Sequence, residues 1–244
     1  MRLGPKNANA HNELGLVLQS REAYEQAIAS FSQAIRHEPQ WAAAYNNRGN
    51  AWSDKGHRQR AMRDFNQAIR IDPRYAVAYY NRGLNWRRQG ALDRALHDFD
   101  QALRLDPELA AAYNNRGLIH EEKGEPDRAI ADFDRAIGLD AQFARAYSNR
   151  GNAWRTKRNL DRAIADFDKA IALDPKHAIA HFTRGQIHEK LGERAKAVAD
   201  YRRAVALDPG YPEPAEALKR LEGERVPAQQ KPQRRDPSHM RRRS

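Results

Sequence analysis

The chain has 244 residues, a formal net charge of +11, 31% charged residues and no cysteine. That composition excludes disulfides, thiolate-ligated zinc and thiol catalysis, and no apolar run approaches the roughly 20 residues of a membrane-spanning helix. The excess of Lys and Arg makes nucleic-acid binding the first idea to test. From the N-terminus onward, the apolar stretch Leu14 to Leu18 is too short for a signal-peptide core. As written, the chain reads as cytoplasmic.

A period then appears. Asp-Pro or Glu-Pro recurs at Pro39, Pro73, Pro107, Pro175 and Pro209, with Ala141 holding the beat where a proline is missing. The chain parses into a lead at 1–7, six 34-residue units (8–41, 42–75, 76–109, 110–143, 144–177 and 178–211), a segment at 212–222 and a tail at 223–244. Each unit predicts two helices, about 42–55 and 58–71 in the second unit. Gly56 sits between them, where a left-handed cap favours glycine. Asp72-Pro73 closes the pair, because proline disfavours a helical residue before it. Tyr45, Trp52, Ala61, Phe65, Ala68 and Ile69 recur at helical spacing as an inward stripe. Gly49, Gly83, Gly117, Gly151 and Gly185 fall inside the first helices at a cost of about 1 kcal/mol each. Close approach through Ala61, Ala95, Ala129, Ala163 and Ala197 is the expected reason. One hairpin cannot bury its stripe alone, so neighbours should stack. Segment 212–222 predicts a capping helix with Ala215, Leu218 and Leu221 inward, and the tail reads as disordered. Ala141, with Gly138 and the glycine-free turn Arg158-Asn159, marks 138–144 as the expected place of greatest flexing.

The period, the glycine of the first helix, the Ala and Phe of the second and the closing proline resemble the tetratricopeptide repeat, over residues 8–211. The resemblance implies an all-α, right-handed superhelical solenoid with a concave inner face and a protein-binding role. It also implies that the second, fifth, sixth, ninth, twelfth and thirteenth positions of each unit line that face.

One departure from the family is systematic. Units two to six carry Arg48, Arg82, Arg116, Arg150 and Arg184 at the seventh position, where the family usually has Leu. The same units carry Asp64, Asp98, Asp132, Asp166 and Asp200 at the twenty-third, whereas the first unit has Leu14 and Ser30. Charges that appear and vanish together predict structural ion pairs, for which the planar guanidinium is suited.

For the groove, the sixth position gives the ladder Asn47, Asn81, Asn115 and Asn149, able to grip a peptide backbone through amide donors and acceptors. Asn46, Asn50, Tyr80, Leu84, Asn114, Leu118, Asn152 and Phe182 complete the candidate lining. Acidic and basic residues balance over the inward positions (Glu13, Asp54, Glu121, Glu122 and Glu189 against Arg87, Arg88, Arg145, Arg155 and Lys190). A phosphate-tracking groove should be strongly basic, so the groove does not read as a nucleic-acid site. Asn46 and Val77 stand where the carboxylate clamp of chaperone-binding relatives would need Lys. The tail carries Arg234, Arg235, Arg241, Arg242 and Arg243, and is the alternative site for nucleic acid or an anionic surface. His120, His181 and His188 lack zinc-hydrolase spacing; His120 and His188 occupy the slot of Trp52, Trp86 and Trp154 and read as core packers. The sequence therefore predicts a non-catalytic scaffold or adaptor that needs no metal or cofactor and holds a peptide segment or helix of a partner.

Overall fold

A computed structural model describes residues 7–223, so the tail arginines lie outside the described residues. Five hairpins come first: α1 (Ala8–Ser20) with α2 (Tyr24–His37), α3 (Ala42–Asp54) with α4 (Arg58–Ile71), α5 (Ala76–Arg88) with α6 (Leu92–Leu105), α7 (Ala110–Glu122) with α8 (Pro126–Leu139), and α9 (Ala144–Thr156) with α10 (Leu160–Leu173). A sixth pair, α11 (Ala178–Lys190) and α12 (Arg194–Leu207), is followed by α13 (Pro212–Gly223). Every element among the described residues is helical, so the fold class is all-α. The chain divides into two compact units, with the division between Lys176 and His177. The first holds α1 to α10, the second α11 to α13.

Local chemistry explains the regularity. Gly56, Gly90, Gly124 and Gly192 adopt positive φ at the hairpin turns, the left-handed conformation that costs glycine little. Glu22 and Arg158 hold the same place at φ 61° without that freedom, at a cost of about 1–2 kcal/mol each. Between hairpins the aspartate builds the turn. Asp72, Asp106, Asp140 and Asp174 each accept a hydrogen bond from the backbone N–H two residues on, at 2.9–3.0 Å. Asp140 does so without a following proline, because the carboxylate closes the turn and proline only restricts it. The junction at 138–144 therefore closes like the others and lies inside the first unit.

The nearest neighbours of the mid-helix glycines are aromatic rings of the second helix. A Cβ on Gly49 would lie 2.7 Å from Phe65 Cε1, and one on Gly117 2.7 Å from Phe133 Cε1. Phe31, Phe65, Phe99, Phe133 and Phe167 are wholly buried. Each ring packs against the bare backbone of the first helix, and Gly151 also lies close to the Ala163 carbonyl. In the first unit, each second helix packs on the next first helix, and successive first helices touch one another. The first helices thus form one continuous face.

In the second unit, Phe182, Tyr201 and Leu221 share a core with Tyr211, Ala217 and Leu218. The buried stripe of α13 is therefore Pro214, Ala217, Leu218 and Leu221; Ala215, expected inward, is exposed. The apolar stripe is rotated by one residue, which leaves Glu213 and Glu216 in water.

Candidate functional site

The ion pairs come first, because they fix the helices that carry the groove. Arg82 donates to both oxygens of Asp98, from Nε and Nη2, at 2.7 Å each. Arg48–Asp64, Arg116–Asp132, Arg150–Asp166 and Arg184–Asp200 repeat this two-pronged geometry at 2.6–2.9 Å. All five join the two helices of one hairpin. In the first unit, Nη1 reaches back to the preceding hairpin as well: Arg48 to Ser32, Arg82 to Asn66, Arg116 to Asp100 and Arg150 to Asp134. The hydrogen bond to Asp132 raises the Arg116 pKa above the ordinary guanidinium value against the opposing effect of burial. These arginines are committed to the scaffold and do not form a free basic ladder.

The inward asparagines form relays. Asn47 donates to Asn12 at 2.9 Å, Asn81 to Asn46 at 2.9 Å and Asn149 to Asn114 at 2.8 Å. Asn115 breaks the pattern, donating to the Tyr80 hydroxyl at 3.2 Å and to the Ala111 carbonyl at 2.8 Å. Each relay joins the fifth position of one first helix to the sixth of the next. Asn46 and Asn114, the acceptors, are 2% and 6% exposed, and Phe182 is 7% exposed. Those three were expected to line the groove; packing encloses them instead. Asn47, Asn50, Tyr80, Asn81, Leu84, Asn115, Leu118, Asn149 and Asn152 are all half-buried on the first helices of the first unit.

Two depressions meet at Leu84. One, of about 260 Å³, is lined by Gln19, Asn50, Ser53, Asp54, Asn81, Leu84, Asn85 and Arg88. The other, of about 410 Å³, is lined by Leu84, Arg87, Arg88, Asn115 and Glu122. Their charges are largely tied down: Arg87 donates to Glu122 at 2.7 Å, Arg88 to Ser53 at 2.9 Å and Gln19 to Asp54 at 2.6 Å. Ser53 stands at the twelfth position, one of those expected to face inward, whereas Asn85, at the tenth, was not expected there. Asn85 was detectable, since it stands polar in a column otherwise filled by Ala51, Ile119 and Ala153. It is 2% exposed and donates to the Ser53 Oγ at 3.2 Å.

His120 is half-buried and His188 is enclosed, at 7% exposure, and each also bridges two carboxylates. His120 Nδ1 lies 2.8 Å from Glu125 and its Nε2 3.8 Å from Asp132. His188 repeats this with Glu193 at 2.5 Å and Asp200 at 4.0 Å. The His120 contact is the leading cause that lowers the Glu125 pKa. Among the described residues, no group of three His, Cys, Asp or Glu has the geometry to hold a metal, and no helix is long and apolar enough to cross a membrane.

Sequence models described as "Tetratricopeptide repeat" match residues 42–75, 80–144, 122–177 and 148–212. A comparison with curated proteins found no match. Among solved structures, the chain resembles that of the APC/C hetero-tetramer Cut9-Hcn1 at 19% identity and TM-score 0.80, covering 89% of this chain but 43% of that one. It resembles pilF of Pseudomonas aeruginosa at 19% identity and TM-score 0.78, covering 89% and 97%. It resembles YrrB, described as a TPR protein with an unusual peptide-binding site, at 25% identity and TM-score 0.61, covering 78% and 97%.

Proposed function

Because the chain belongs to the tetratricopeptide repeat family, whose fold generally mediates protein–protein interaction, we propose that it is a non-catalytic adaptor holding a peptide segment of a partner against α3, α5, α7 and α9. The observation that carries this reading is the pair of depressions meeting at Leu84, bordered by the half-buried amides Asn50, Asn81 and Asn115. An asparagine amide has two donor hydrogens and an acceptor oxygen. The relay occupies one N–H of Asn81 and one of Asn149, so each retains a second N–H and its oxygen for a peptide backbone. Leu84, Leu118 and Tyr80 supply an apolar seat between the amides. With Arg87 paired to Glu122, the lining favours an extended peptide of low net charge over a polyanion. The YrrB likeness supports peptide binding as the class of activity.

The test is to select peptides on the full chain by display and to titrate one calorimetrically. Replacing Asn81, Asn115 and Asn149 together by Ala, or Leu84 by Ala alone, should weaken binding at least tenfold, about 1.4 kcal/mol. Helical content should be retained. Selected peptides that bind both variants as tightly as the parent chain would refute the groove.

A further inference from the structure

At the opposite edge of the first unit, α1 carries an apolar stripe that the groove does not use. Val17 is 47% exposed and Leu14 38% exposed. In every later hairpin of that unit, these two places are covered. The counterparts of Val17 are Ala51, Asn85, Ile119 and Ala153, each between 0% and 2% exposed. They are buried by the second helix of the preceding hairpin: Ala51 packs with Ala27, Ile28 and Phe31, and Ala153 with Ala129, Ile130 and Phe133. The counterparts of Leu14 are the arginines whose Nη1 reaches back to that same helix. Among the described residues, α1 has no helix before it. At this edge the arginine has also become leucine, so the surface has the chemistry of the stacking interface without its charge.

We propose that this edge pairs two copies of the chain, α1 against α1, antiparallel about a two-fold axis at Leu14. The occupant must itself offer an apolar helix edge that its own chain leaves uncovered. The last described helix, α13, instead exposes Glu213, Glu216, Lys219 and Glu222, the polar face that closes a repeat array. The edge of α1 is thus the partner that a second copy can provide. The stripe is self-complementary. With Leu14 on Leu14, the antiparallel register sets Val17 beside the partner's His11 and Leu18 beside the partner's Ala10, a large side chain against a small one. The same register places Arg21 by the partner's Asn7, so no like charges meet along the stripe. Such an interface is isologous, the commonest closed arrangement of identical chains. Because it rests on a single helix from each copy, it belongs to the weak, concentration-dependent class. It leaves the face lined by α3, α5, α7 and α9 free, and does not depend on what binds there.

Sedimentation equilibrium of the full chain over a concentration series is the test. The expected result is an average mass rising with concentration from 27.9 kDa towards that of a dimer. The double variant L14E/V17E should stay monomeric with its helical circular dichroism intact. As an independent measurement, Leu14→Cys introduces a unique thiol into a chain without cysteine. Under mild oxidation it should form a disulfide-linked dimer faster than Ser20→Cys. A mass that stays at that of the monomer at every concentration overturns the proposal. So does self-association that survives L14E/V17E, or equal cross-linking rates for the two cysteine variants.

Discussion

Asp132 illustrates how one side chain serves two levels of structure. Its carboxylate receives Arg116 at 2.6 Å, while the side chain is 8% exposed against 23% for the arginine. Arg116 in turn reaches Asp100 on the preceding hairpin, so the pair closes its own hairpin and pins it to its neighbour. Asp132→Ala leaves a largely buried guanidinium with one partner lost, and should cost about 3 kcal/mol, the lower end for a broken buried pair. The expected readout is a lower thermal midpoint by circular dichroism; an unchanged midpoint would show that the pair contributes nothing. That these residues pair was legible in the sequence, because Arg and Asp are absent together from the first repeat, 8–41. Their reach to the previous hairpin was not, since the residues met there are Ser32, Asn66, Asp100 and Asp134, which share polarity but no identity. The asparagines show the reverse case. Their identity repeats plainly, yet only the turn of each helix decides that Asn46 and Asn114 are enclosed while Asn47 and Asn149 stay half-buried.

Among the helices, the contact of glycine with phenylalanine sets how closely a hairpin closes. On Gly117 a methyl group would meet the Phe133 ring at 2.7 Å, whereas on Gly151 it would meet Phe167 at 3.2 Å. Alanine in a helix gains about 1 kcal/mol over glycine, but overpacking a filled core costs about 1–3 kcal/mol. Gly117→Ala should therefore destabilise the protein clearly, and Gly151→Ala less or not at all. Thermal melts in the opposite order would disprove this account of the spacing. The sequence marked these glycines as purposeful from their repetition. It did not identify the ring that requires them, because Ala129 and Phe133 lie one helical turn apart on the same buried stripe, and sequence spacing alone does not distinguish their depths.

Across the whole first unit, stability runs along the stack, each hairpin leaning on its neighbours. The α1–α2 hairpin lacks both a described neighbour before α1 and the Arg–Asp pair. In the dilute monomer its amides should exchange with deuterium before those of α5–α6, since local opening begins where few buried contacts hold the backbone. Equal protection of the two hairpins would contradict this ordering. The sequence by itself determined the repeat length, the helix pairs, the turn residues and the family, because these depend on contacts within a few turns of chain and recur in each unit. Tertiary structure alone decided which amides remain accessible, that two depressions meet at Leu84, and that the apolar edge of α1 goes uncovered. Those properties depend on which side chains of successive hairpins meet, and a 34-residue period specifies the repeat without specifying what each copy finds across the interface.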